Sequence, residues 1–148
     1  MRSRFETLFH KINESRENEE LLSENIGFKE LFPSVKKASA KEKQTVVLMV
    51  NEMCASMCDI FSADLKDNGI AKVIGTKTMG AGGNVTPHMA SPLLGNILTT
   101  TESLIVRYDG SLLENKGVNP DLEYKKTIND LDNKNEDFIN AALKYALK

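Results

Sequence analysis

Ser56 stands between Cys54 and Cys58, a few residues beyond the apolar run TVVLMV at 45–50. A serine hydroxyl attacks a carbonyl only when a base takes its proton and donors hold the oxyanion that forms. A turn from a buried strand into a helix supplies part of this. It projects the side chain and leaves N–H groups unpaired at the helix start. The N–H of Met57, the next residue, is then a natural oxyanion donor. The same position also suits a serine that only caps the helix. Position alone leaves both readings of Ser56 open.

The other reactive residue types are sparse. In GTKTMGAGG, Gly75 and Gly80 have the spacing of a phosphate-binding loop, which calls for Lys and then Ser or Thr directly after the second glycine. Ala81 and Gly82 stand there instead, so no nucleotide site is expected. Cys54 and Cys58, four apart, could share a helix face, but His10 and His88 are the only histidines and neither has zinc-site spacing. No metal or cofactor is expected, and the two cysteines read as small buried apolar residues rather than a disulfide framework. His88, in NVTPHMASP, follows a proline in a turn-prone stretch and reads as a surface histidine. Glu114, in LLENKGVNPD, is a loop carboxylate that means little by itself.

The elements around Ser56 follow from periodicity. TVVLMV is a continuous β-branched and apolar run, which predicts a strand buried on both faces. A helix follows, with Met57, Ile60, Phe61 and Leu65 on one face and Asn68-Gly69 at its end. AKVIGT predicts a second short strand, MGAGGN a glycine loop, and ILTTTESLIVRY one or two strands. DGSLLENKGVNPD is turn-rich. NEDFINAALKYALK predicts a closing helix with Asn135 as its cap and Ala, Leu and Tyr facing inward. Strand, helix, strand at this spacing is a β-α-β unit, and therefore an α/β domain.

Ahead of it, residues 1–44 are polar and charge-mixed. Phe5, Leu8, Phe9 and Ile12 predict one short amphipathic helix, which ENEELL continues. NIGF and FPSVKKASAKEK read as loop. The basic residues near Met1 precede no apolar core, so no signal peptide is read here, and no apolar run approaches the roughly 20 residues that span a bilayer. A formal net charge of -2, no Trp and 6% aromatic residues argue against nucleic acid as a partner.

Taken in order, the stretches carry a resemblance. VVLMVNEMCASMCDIFSADLKDNGIAKVIGTKTMGAGGNV is similar to the catalytic core of the tail-specific (C-terminal processing) serine peptidases. Ser56, Asp59, the Asp67-Asn68-Gly69 helix end and IGTKTMG fall at that family's motif positions. SLIVRYDGSLLENKGVNPDLEY resembles its closing strand and Gly-Val-x-Pro-Asp segment. The motifs cover residues 45 to 147, and none falls in the first 44. The resemblance implies an incomplete α/β catalytic subdomain of crotonase/ClpP-like fold at 45–148, after a polar helical and loop segment at 1–44.

One branch of the family uses a lysine base after Thr-x-Gly. Here that position is Ala81, and Lys77 lies four residues too early. TMGAGG resembles instead the branch of tricorn-type core proteases and the chlamydial protease-like activity factor, which use Ser, His and Glu. That resemblance implies Ser56 as nucleophile, Glu114 as the carboxylate that orients the histidine, and Met57 N–H as an oxyanion donor. Asp59 and Asp67 are expected to fix the helix and loop. The branch's histidine and second oxyanion donor lie upstream of the serine, and neither His10 nor His88 fits.

The chain therefore reads as the C-terminal part of a serine endopeptidase acting on polypeptides. Its base would come from an upstream region or a second chain. The alternative is a catalytically inactive peptide-binding remnant. Acyl-CoA chemistry follows only from likeness of fold. Relatives are often exported, which leaves localisation open. Met53, Met57, Met79 and Met89 cluster about the site, so a homodimer or an aggregation-prone monomer is expected.

Overall fold

The computed structural model describes residues 2–27, 45–91, 93 and 95–147. Contacts divide the chain into two units, Met1–Lys43 and Gln44–Lys148. The first unit contains α1 (Arg2–Glu17). On α1, Leu8 is half-buried, while Phe9 and Ile12 are exposed. The helix stops at Glu17 instead of running through ENEELL, because Glu19 takes a left-handed backbone and residues 20–27 leave the helical path. NIGF is non-helical as far as Gly27, as expected, while the expected loop FPSVKKASAKEK (32–43) lies outside the described residues.

The second unit is built on a three-stranded sheet of order β1-β2-β5, formed by β1 (Val46–Val50), β2 (Ala71–Gly75) and β5 (Leu122–Glu123). β1 and β2 pair in parallel across α2 (Met57–Asp67), which is the predicted β-α-β unit. β5 adds in parallel on the other side of β2. The strand buried on both faces is therefore β2, not β1. Successive strand residues point to opposite faces. Val73 meets Val50 and Cys54, while Ile74 meets Phe138 and Ala142. Among the described residues β1 is an edge, and only Val50 in it is buried.

β3 (Val85–Ser91) and β4 (Asn96–Thr101) form a separate antiparallel hairpin with an irregularity between Met89 and Ser91. His88 accordingly lies in a strand rather than a turn, paired with Leu98. Two short helices follow, α3 (Ile128–Asp132) and α4 (Glu136–Ala146). α3 has no counterpart in the sequence reading. It starts on a reciprocal capping box, with the Thr127 hydroxyl accepting from the Asp130 N–H and the Asp130 carboxylate accepting from the Thr127 N–H. Asn135 precedes α4 as expected, but it takes a left-handed backbone and makes no side-chain cap. α4 packs Phe138 and Ala142 against Ile74, with Ala141 and Tyr145 partly covered and Leu143 turned outward.

Candidate active site

The site is assembled around the glycine loop 78–83. Ser56 immediately precedes α2, with φ 57° and ψ −123°. A non-glycine residue in such a sparsely populated region costs on the order of 1–3 kcal/mol and persists only where its surroundings hold it. Its neighbours do hold it. The Ser56 N–H donates to the Ala81 carbonyl at 2.8 Å, and the Met79 N–H donates to the Cys54 carbonyl at 2.9 Å. The Ser56 side chain is exposed and makes no capping hydrogen bond. That removes the capping alternative. What remains is a strained strand-to-helix turn that presents a hydroxyl to the outside, the arrangement associated with nucleophile elbows. Met57 is the first residue of α2, so its N–H has no partner within the helix.

Asp59 organises the loop from the opposite side. Its carboxylate is fully buried, accepts the Thr78 hydroxyl and the Gly80 N–H, and takes the Ala81 N–H at 2.9 Å. By fixing the Gly80 and Ala81 peptides, it fixes the carbonyl that receives the Ser56 N–H. Gly80, at φ +76°, also packs so close to the backbone of Gly117 and Leu113 that a Cβ would clash.

The segment 113–121 closes the far side of the loop. The Asn115 N–H donates to the Gly80 carbonyl at 2.8 Å, and Thr78 and Val118 bond in both directions. Leu113 and Val118 are fully buried with Ala63 of α2. Here lies Glu114. Its Oε2 accepts the Ile105 N–H at 3.0 Å, while its Oε1 is buried and accepts no hydrogen bond. A Cβ on Gly83 would meet that Oε1 and run into the Ser103 carbonyl, so the loop touches Glu114 only because residue 83 is glycine. Ser56 and Glu114 thus contact the two ends of one short run, Ala81 to Gly83.

Several supporting contacts carry no short-range sequence signal. Asp67 pairs with Arg107, whose guanidinium also reaches the Gly117 carbonyl. The Asp67 hydrogen bond holds the Arg107 pKa above its usual value against the opposing effect of burial. Lys66 binds the Asn119 carbonyl and Asp121, each at 2.6 Å. Burial pushes the Asp121 carboxyl up, but Lys66 and the Val73 N–H outweigh it and leave it below the usual carboxylate value. These pairs tie both ends of the Gly-Val-x-Pro-Asp segment to α2.

Both histidines are on elements other than α2 and the glycine loop. His10 is on α1, in the other unit, and the His88 Nε2 pairs with the Thr100 hydroxyl at 2.8 Å across the hairpin. The cysteines depart from the buried-thiol expectation: Cys54 and Cys58 form a disulfide that brackets Ser56. Spacing of four is compatible with a shared helix face, but here Cys54 lies just before the turn and Cys58 just after it. The turn brings their Cα atoms to 5.2 Å, within disulfide range. Both cysteines line an open crevice of about 500 Å³, together with Met53, Ala55, Phe138 and Ile139.

Comparison with known proteins agrees with this geometry. The model of peptidase family S41 matches residues 6–124, so the likeness begins well before the first motif at residue 45. An uncharacterized protein of Chlamydia muridarum is 39% identical over 107 residues, covering 72% of this chain and 17% of its own length. A probable CtpA-like serine protease of Staphylococcus epidermidis is 31% identical over 112 residues, covering 76% of this chain and 20% of its own length. The crystal structure of mature CPAF superposes with a TM-score of 0.68 at 28% identity, over 88% of this chain and 25% of that one. The chain thus spans a quarter or less of each of these relatives. With its fold, its ordered motifs and the family match in agreement, the chain belongs to peptidase family S41, a family of serine proteases.

Proposed function

We propose that these residues are the nucleophile-bearing part of a serine endopeptidase that cleaves polypeptides through an acyl-enzyme on Ser56. The observation that carries this reading is the Ser56 turn itself, a strained backbone whose exposed hydroxyl caps nothing. In this reading the Ser56 Oγ attacks the peptide carbonyl, and the Met57 N–H donates to the developing oxyanion. A histidine takes the serine proton and returns it to the leaving amine. Glu114 orients that histidine. Its buried Oε1 accepts nothing, and a buried carboxylate oxygen without a donor calls for a partner. An imidazole N–H is the donor that Ser-His-Glu chemistry supplies there. The base comes from protein outside these 148 residues, either an upstream region or a second chain.

A second reading rests on Ala81. It occupies the lysine position of the other branch and offers no basic side chain, its carbonyl being engaged by the Ser56 N–H and its N–H by Asp59. If no histidine reaches Ser56, the chain is an inactive, peptide-binding relative. Fluorophosphonate labelling of the full-length protein separates the two. Labelling that disappears in Ser56→Ala is expected, and equal labelling of both forms would defeat the nucleophile assignment.

A further inference from the structure

Cys54 and Cys58 are the chain's only cysteines, and their disulfide closes a five-residue ring with Ser56 at its centre. A ring this short removes little freedom from the unfolded chain, so its effect is local. The turn inside it is the strained one. Two of its backbone restraints run through the same two residues, the Cys54 carbonyl receiving the Met79 N–H and the Cys58 N–H donating to the Ala55 carbonyl at 3.1 Å, beside the two that Ser56 makes with Ala81 and Ile60. We propose that this disulfide is a redox-sensitive clamp on the Ser56 turn. Oxidation holds the serine and the Met57 N–H in their reactive geometry, and a dithiol reductant releases them. The regulatory part rests on the reading of Ser56 as nucleophile; the clamp itself does not.

Both sulfurs belong to residues that line the crevice, but they are differently buried. Cys58 is exposed and lies in the first turn of α2, whereas Cys54 is 5% exposed. A thiolate of the reductant therefore attacks the Cys58 Sγ. The S–S bond breaks, and its electron pair leaves on the Cys54 Sγ, which takes up a proton. Ser62 Oγ, at 3.8 Å from that sulfur, can donate to the departing thiolate. The reductant's second thiol then attacks the mixed disulfide and releases Cys58 as a thiolate that is protonated in turn. Two electrons and two protons pass to the protein, and the reductant leaves as its cyclic disulfide. A low-molecular-weight disulfide such as oxidised glutathione restores the bond through the reverse exchange. The N-terminal end of α2 favours the Cys58 thiolate, which suits a thiol poised for exchange.

The test uses the full-length protein held in oxidised glutathione or in dithiothreitol. Alkylation followed by mass spectrometry of the peptide carrying Cys54 and Cys58 should find both thiols free only after reduction. Hydrogen exchange over residues 57–60 should be about tenfold faster in the reduced form. The double variant Cys54→Ala with Cys58→Ala should exchange like the reduced form in both buffers. Free thiols under oxidised glutathione, or equal exchange in the two buffers, would overturn the clamp. Fluorophosphonate labelling of the full-length protein adds the regulatory readout. Ser56-dependent labelling that is equal in both buffers overturns regulation and leaves the nucleophile standing. Labelling that never depends on Ser56 defeats the nucleophile reading, and the exchange contrast then decides the clamp alone.

Discussion

Asp59 shows how a single side chain sets the site's geometry. Three donors from the loop, the Thr78 hydroxyl and the Gly80 and Ala81 N–H groups, end on one buried carboxylate. Each buried donor left without an acceptor costs about 1–3 kcal/mol. Asp59→Ala is therefore expected to cost about 3–5 kcal/mol, read as a lower urea midpoint with an unchanged slope. A loss below about 1 kcal/mol would mean that the loop is held by Val118 and Asn115 without it. Asp59 was legible in the sequence as an acidic residue three beyond the serine, with a structural role. Its partners were not, because Thr78 lies 19 residues away and only the closed fold brings it in. The same holds for the Arg107–Asp67 and Lys66–Asp121 pairs. The disulfide was missed for a different reason: spacing of four reads as one helix face, and no local signal says that the chain turns between the two sulfurs.

At the scale of elements, the β-α-β unit was legible because its periodicities are strong and its turn residues well placed. The inward face of α2 was not. Hydrophobicity selected Met57, Ile60, Phe61 and Leu65, yet Asp59, Ser62 and Ala63 are the buried residues, and Met57 and Phe61 are exposed. A buried carboxylate with three hydrogen-bonded donors defeats a count of apolar side chains. The β3–β4 hairpin was half-legible, since Pro87 and His88 imitate a turn and every residue of β4 is exposed, leaving no alternation to read. The α3 cap is another such element. Asp130 is fully buried, accepts the Thr127 and Phe138 N–H groups and takes the Tyr124 hydroxyl. Its carboxyl is held below the usual carboxylate value first by the Thr127 N–H, with the Thr127 and Tyr124 hydroxyls adding to it against burial. A carboxyl with a depressed folded-state pKa adds stability above its unfolded value, near 3.9, and loses it as pH falls through the folded value. Thermal melts should therefore show an acid-side fall in Tm below about pH 4 that is shallower in Asp130→Asn. An identical acid limb in the variant would sever α3 capping from the docking of α4.

At the scale of the whole molecule, the unusual feature is where the apolar surface lies. Met53 is 74% exposed, Met57 68% and Phe61 53%, and all three flank the Ser56 turn. Among the described residues β1, beside them, is a sheet edge whose Val46 and Met49 are also open. An unpaired edge next to exposed apolar side chains invites another chain. The site makes a similar demand from within: the buried Glu114 Oε1 has no hydrogen-bond donor. Family motifs singled out Ser56 and Glu114 as the residues to test, but no motif can say which apolar surface is meant to be covered. The isolated 148-residue chain is accordingly expected to self-associate, sedimenting at twice its 16.4 kDa monomer mass or more at micromolar concentration. Met53→Lys with Phe61→Lys should return it toward monomer, because both side chains project outward and neither contributes to a buried cluster. A wild-type chain that sediments as a single well-behaved monomer would show that this surface needs no cover. In the proposed reaction, the base would then have to reach Ser56 without burying the apolar face around it.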